Sequence, residues 1–291
     1  MNNNPVLLPQ FTDGAGWTTQ LVLTNPSDDP INGAVQFFGP GSITQDGAPL
    51  SLWVNGILNS TFSYGIAPRS AVRLVTGNVG SILRMGSIRV TPSSGSAPVA
   101  VEMYSFFKNG ITVSQASILA ASTASAFRMY AETSGPVTQP LSIQSGVAIA
   151  NPGQAPVTVN IALTQMDGTT VGQPTTVTIP ANGQTAKYVK ELFPSSPDNF
   201  SGFITVTASS PIGVVGLRMR ANERGDYLLT PTPPRNDSDT LMDSEIVFPV
   251  ISSGAGYSVQ FVIFGQSGSG GIYYNSADGT PMAAGSLRPQ Q

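Results

Sequence analysis

With 291 residues and 40% hydrophobic content, the chain is long enough for two ordinary domains and a further fragment, each with a core. Only 10% of residues are charged, the net charge is −3, and the 13 Lys and Arg are scattered singly; no basic stripe exists to neutralise phosphates, so nucleic acid is not expected as a partner. Cys and His are both absent, which removes disulfides, thiolate metal sites, the usual zinc ligand and the Ser-His-Asp triad together; the chain reads as a non-enzyme without metal or cofactor.

No run of about 18 apolar residues occurs, so membrane insertion is not expected. Met1 is followed by Asn2, Asn3, Asn4 and Pro5, which is neither a basic nor an apolar signal region. The chain is then either cytoplasmic or a mature chain whose signal has been removed, and the neutral, Ser/Thr/Asn/Gln-rich polar content favours the second, located outside the cell or at its surface. The 31 Gly and 24 Pro are spread along the chain, the punctuation of many short strands joined by turns.

The first element is Val6 to Leu23, VLLPQFTDGAGWTTQLVL, and it recurs at Ile246 to Ile263, IVFPVISSGAGYSVQFVI, at one constant offset with no gap. Pro9 and Pro249 coincide, as do Gly14-Ala15-Gly16 and Gly254-Ala255-Gly256, and aromatic Trp17 falls on aromatic Tyr257. After this lead, strands are expected at Gln20–Thr24, Ala34–Phe38, Leu50–Val54, Ser60–Tyr64, Ala71–Val75, Gly86–Thr91, Val99–Phe107 and Gly110–Ile118. Alternation such as Val72 and Leu74 against Arg73 and Val75 marks one buried and one wet face. Ala116–Ala126 reads as strand or helix.

The plan then repeats. Val147-Ala148-Ile149-Ala150-Asn151-Pro152 echoes Leu21-Val22-Leu23-Thr24-Asn25-Pro26, Asp167-Gly168 echoes Asp46-Gly47, and Gly202–Ser210 echoes Gly86–Ser94. One helical turn is expected at Tyr188–Leu192. Pro231 to Thr240 is rich in Pro and polar residues and should be extended and exposed. The fold class is therefore all-β: tandem Ig-like-size β-sandwich domains with a partial third repeat. Residues 1–125 form a first module with an N-terminal extension, 126–233 a second, 234–244 a linker, and 245–291 the partial third.

The leads LLPQFTDGAGWTTQLVLTNP and EIVFPVISSGAGYSVQFVIF, with ANERGDYLLTPTPP between them, resemble the tandem modules of a group of secreted bacterial surface proteins. The resemblance covers most of the chain and implies extracellular β-sandwich modules. It carries no catalytic residue.

Several patterns invite a site. Arg224-Gly225-Asp226 is an adhesion-type tripeptide, but it reads first as a hairpin tip with Gly225 at positive φ. Glu102, Glu132, Glu191, Glu223 and Glu245 could include a glycosidase pair, yet they look like solvated groups. Asp28-Asp29 and Asn236-Asp237-Ser238-Asp239 offer oxygen ligands without the Gly and Glu of a calcium loop. Trp17 and Tyr257 could stack on a sugar, although their equivalent places favour a shared packing role. Asn59, Asn199 and Asn236 stand in glycan sequons.

The partial third repeat decides the expected function. Its apolar positions cannot close a core alone, so a partner must cover them. The leading expectation is a structural subunit of an extracellular filament or surface assembly, a homopolymer joined head to tail. Val6, Leu7 and Leu8 on a free N-terminal arm, and Val247, Phe248, Phe261, Ile263 and Phe264 in the third repeat, are the expected interface. The alternative is a monomeric adhesion or carbohydrate-binding module.

Overall fold

The structure, a computed structural model, describes residues 4–137, 139–239, 246–252, 254–263 and 270–287. The chain divides into two compact units, residues 1–165 with 170–239, and residues 166–169 with 240–291. Both are β, and one helical turn interrupts the strands. The expected all-β sandwich class is observed.

Ten strands open the first unit: β1 (Val6–Asp13), β2 (Trp17–Thr24), β3 (Ile31–Phe38), β4 (Leu52–Val54), β5 (Ile57–Asn59), β6 (Thr61–Ile66), β7 (Ala71–Val75), β8 (Arg84–Ser94), β9 (Val99–Lys108) and β10 (Ile111–Leu119). They form antiparallel sheets in the orders β1-β8-β3-β6 and β10-β9-β2-β7, with β4 and β5 as a separate hairpin. Alternation does the sorting: Leu21, Leu23, Leu74 and Ala100 from one sheet meet Leu8, Val35, Ile88 and Val90 from the other in a single core. Each of the Leu, Val and Ile side chains, fully buried, contributes about 1.5–3 kcal/mol.

The second set is β11 (Ala124–Ser134), β12 (Ile143–Ala150), β13 (Val157–Gln165), β14 (Thr170–Ile179), β15 (Gln184–Tyr188), helix α1 (Val189–Leu192), β16 (Phe200–Ala221), β17 (Tyr227–Thr232) and β18 (Arg235–Asn236). The N-terminal half of β16 pairs with β11 and β13, and its C-terminal half pairs with β12 and β17. This one long strand therefore occupies both places that β8 and β9 hold in the first set. The orders β11-β16-β13-β14 and β17-β16-β12-β15 reproduce the first pair of sheets, and Ile149, Ile161, Ile204 and Val214 share a second core. The echo read in the sequence is thus a repeat of topology. In α1, Val189 and Leu192 are buried, and Glu191 Oε2 accepts the Tyr188 N–H at 2.7 Å.

The two cores belong to one unit because the sheets are tied together. Tyr104 and Ile118 pack on Ala148 and Val215. Gly47 N–H donates to the Ala181 carbonyl at 2.8 Å and Gln184 N–H to that of Pro40 at 2.9 Å. Arg89 reaches the Pro152 carbonyl at 2.8 Å, and Lys108 pairs with Asp226 at 2.9 Å. Contacts at several separate places make this a rigid joint.

Two expectations need correction and one is resolved. Val6, Leu7 and Leu8 are not a free arm: they begin β1, pair with Val90, Arg89 and Ile88, and Leu8 is fully buried. The stretch is apolar enough to be drawn into its own core. Ala116–Ala126 is strand at both ends, closing β10 and opening β11. The segment from Pro231 is not wholly an exposed linker, since Pro231 and Thr232 finish β17 and β18 pairs with β11; Thr240 lies outside the described residues.

The second unit contains the antiparallel hairpin β19 (Gly270–Asn275) and β20 (Pro281–Leu287). Its turn is held by Asp278, whose Oδ1 accepts the Thr280 N–H at 3.0 Å. The Ser276 hydroxyl beside it, with that backbone donor, holds the Asp278 carboxyl down at about 2.

Candidate interaction site

The two leads fold the same turn. Gly14, Ala15 and Gly16 have φ of 84°, 51° and 91°, and Gly254, Ala255 and Gly256 have 95°, 49° and 88°. In both, the first glycine and the aromatic exchange backbone bonds, at 3.0 and 2.9 Å for Gly14 and Trp17 and at 3.1 and 2.9 Å for Gly254 and Tyr257. Three successive positive φ values explain why glycine flanks the alanine.

What surrounds the turn differs. In the first unit Ala15 N–H donates to the Gly80 carbonyl, Gly16 N–H to Asn78 Oδ1, and Phe107 N–H to the Gly16 carbonyl. A Cβ at Gly14 would stand 2.4 Å from the Ile82 carbonyl oxygen, and one at Gly16 2.6 Å from that of Phe107. At Gly254 and Gly256 the corresponding space is open among the described residues.

Side chains follow the backbone. Leu8, Phe11 and Leu23 are buried in the core they share with β8 and β9, Leu7 is buried against Gly213 of β16, Thr19 is buried on Thr12, and Trp17 stacks on Phe106 of β9 at 4.8 Å. Their counterparts Val247 (72%), Phe248 (48%), Ile251, Tyr257 (71%), Val259 and Ile263 are exposed. Among the described residues, Ile246–Ile263 forms no ladder, and no strand stands where β8 and β9 would. Phe261 retains local packing, between Phe248 at 4.9 Å and Tyr274 at 6.4 Å. Phe264 lies outside the described residues.

The other candidates are not brought together. Arg224 is exposed, but the Asp226 side chain points inward to Lys108, and the Asp226 N–H bonds Asn222 Oδ1 at 2.8 Å. Gly225 has φ 75°, so the tripeptide is a hairpin tip. Glu132 is ion-paired with Arg218, Glu191 caps α1, and Glu223 lies 3.8 Å from Arg220 at the surface. Glu245 lies outside the described residues. Asp28 is held by Arg69 through two bonds of 2.7 and 2.9 Å, which keep its carboxyl below the ordinary range. Asn236 and Asp239 bond one another at 3.0 Å and Asp237 pairs with Arg128, so these oxygens are directed to protein partners. Among the described residues no group of three acidic side chains could hold a metal. The sequon residues Asn59 and Asn199 are exposed and Asn236 is half-buried.

Sequence reasoning misplaced Glu102, which is fully buried rather than solvated. It lies on β9 opposite Leu21 of β2 and Ile118 of β10. Burial pushes its carboxyl well above the ordinary value; the Tyr104 hydroxyl beside it offsets this only partly, being committed to the Gln10 carbonyl at 2.7 Å. The signal was its phase: Ala100, Glu102 and Tyr104 alternate with half-buried Val101 and Met103. A groove of about 320 Å³ lies where the sheets join, lined by Ile118, Phe127, Val214, Pro231 and Pro234, and only Ser117 and Ser122 add polar side chains.

No family model, curated protein or solved structure matches the chain. No helix among the described residues is long and apolar enough to cross a membrane.

Proposed function

We propose that the chain is a structural subunit of an extracellular or cell-surface assembly, a rigid two-core body whose third repeat is the joint to another molecule. The observation carrying this is the contrast between the leads: one turn, one apolar pattern, buried in the first copy and exposed in the third. Leaving six apolar side chains about half exposed to water forgoes roughly 5–9 kcal/mol of burial, a large fraction of the stability of a domain. An exposed apolar surface of this extent marks an interaction site. The resemblance to secreted surface modules and the neutral composition support the extracellular setting. A joint that meets a different surface of the next copy grows a filament head to tail, whereas one that meets itself closes a pair.

The test compares the full chain with one ending at Asp239, using sedimentation and negative-stain imaging. The full chain assembles and the shortened one stays a folded monomer. Assembly of the shortened chain, or a full chain monomeric at high concentration, overturns the proposal and leaves a monomeric binding module.

A further inference from the structure

We infer that two copies of this chain pair through Ile246–Ile263, each lead taking over the other the place that β8 and β9 take over β1 and β2. The inference rests on the third repeat being the joint and names its partner. The first unit shows the required form. β1 and β2 make an arch that crosses from one sheet to the other through the Gly14–Gly16 turn, and β8 and β9 make a second arch. First strand pairs with first strand and second with second, both antiparallel: Asp13 faces Arg84 and Val6 faces Val90, while Trp17 faces Phe106 and Thr24 faces Val99. The two connections therefore lie at opposite ends. That is the relation a twofold axis perpendicular to the two sheets imposes on identical arches, because such an axis sets each strand antiparallel to its own copy.

The lead suits this role in three respects. Residues 246–263 contain no charged side chain, so identical segments meet without like-charge repulsion. Pro249 lacks a donor, but its counterpart Pro9 lies where the β1–β8 register shifts between Leu8 and Phe11, so the pairing accommodates it. In the first unit both pairs of sheets have all four places filled, so the chain holds no spare arch among its described strands. The N-terminal segment, already in β1, is not available.

The experiment uses the full-length chain. Sedimentation equilibrium should show one monomer–dimer equilibrium ending at twice the chain mass of 30.2 kDa. Because the chain has no cysteine, Gln260→Cys carries a single spin label, and labels on two copies should give one short distance. The double variant Ile251→Asp, Ile263→Asp, at the counterparts of the core residues Phe11 and Leu23, should raise the dimer dissociation constant roughly a hundredfold or more. Its strand circular dichroism should not change, since both residues are exposed in the single chain. Polymers larger than dimers, or a dimer with distant labels, would overturn the twofold pairing while leaving the third repeat as a joint. A dimer untouched by the double variant would overturn the use of this segment, and a monomer at every concentration would overturn both.

Discussion

Asn25 and Asn151 make the same set of hydrogen bonds at the ends of β2 and β12. Each Nδ2 donates to three carbonyls, of Asp29, Ile66 and Ala67 in one case and of Ala155, Ile179 and Pro180 in the other. Each Oδ1 accepts the N–H two residues on, at 3.0 Å from Ser27 and 2.9 Å from Gly153. One amide thereby satisfies the loops at that end of each core. Asn25→Ala and Asn151→Ala remove these amide donors, although Ala67, Asp29 and Pro180 keep bonds from Ser70, Ser27 and Gly183, and each should cost about 1–3 kcal/mol in urea unfolding.

The buried carboxyl of Glu102 makes stability depend on pH. Its folded pKa is raised above the ordinary 4.5, so its contribution is fully present below about 4.5 and is lost as pH rises through the folded value. Glu102→Gln, which cannot ionise, should raise the melting temperature at pH 7 and change it little at pH 4. Thermal melts of both proteins across that range check the sign.

Close approach at the joint makes glycine necessary at position 47. A Cβ there would stand 2.1 Å from the Asn182 carbonyl oxygen, and the Gly47 N–H bonds Ala181. Gly47→Ala should separate the 39–48 loop from the 180–183 turn and cost about 1–3 kcal/mol. Gly56, with open space around it, serves as a control: Gly56→Ala strains only its own positive φ of 80°. Chemical denaturation and cleavage at the loop report the difference.

Local periodicity made much of this readable in advance. Strand alternation, the turn at Gly14–Gly16 and the single helical turn at Val189–Leu192 all follow from residues within a few positions of one another. Relations between distant residues were not readable. Leu7 meets Gly213 because two sheets pack, and nothing near either residue signals it. For the same reason Val6, Leu7 and Leu8 read as a free arm in the sequence, since their apolar run suits any core, their own included. Glu102 was misplaced because charge outweighed phase. Pro211 does not interrupt β16, which runs on through it from one sheet to the other. In the candidate site the repeat and its need of a cover were legible, and what covers it was not, because burial depends on which strands lie beside it.

In the proposed assembly, Ile246–Ile263 is a copy of Val6–Leu23 that gains its ladder from another molecule. Hydrogen–deuterium exchange of the full-length chain, followed by peptide across a range of concentrations, tests this most directly. Amides of Val6–Leu23 should be protected at every concentration, and those of Ile246–Ile263 should exchange freely in dilute solution and become protected as concentration rises. Protection of Ile246–Ile263 that does not change with dilution would show the segment covered by its own chain. Free exchange at every concentration would show that no second copy covers it, and either result contradicts the account.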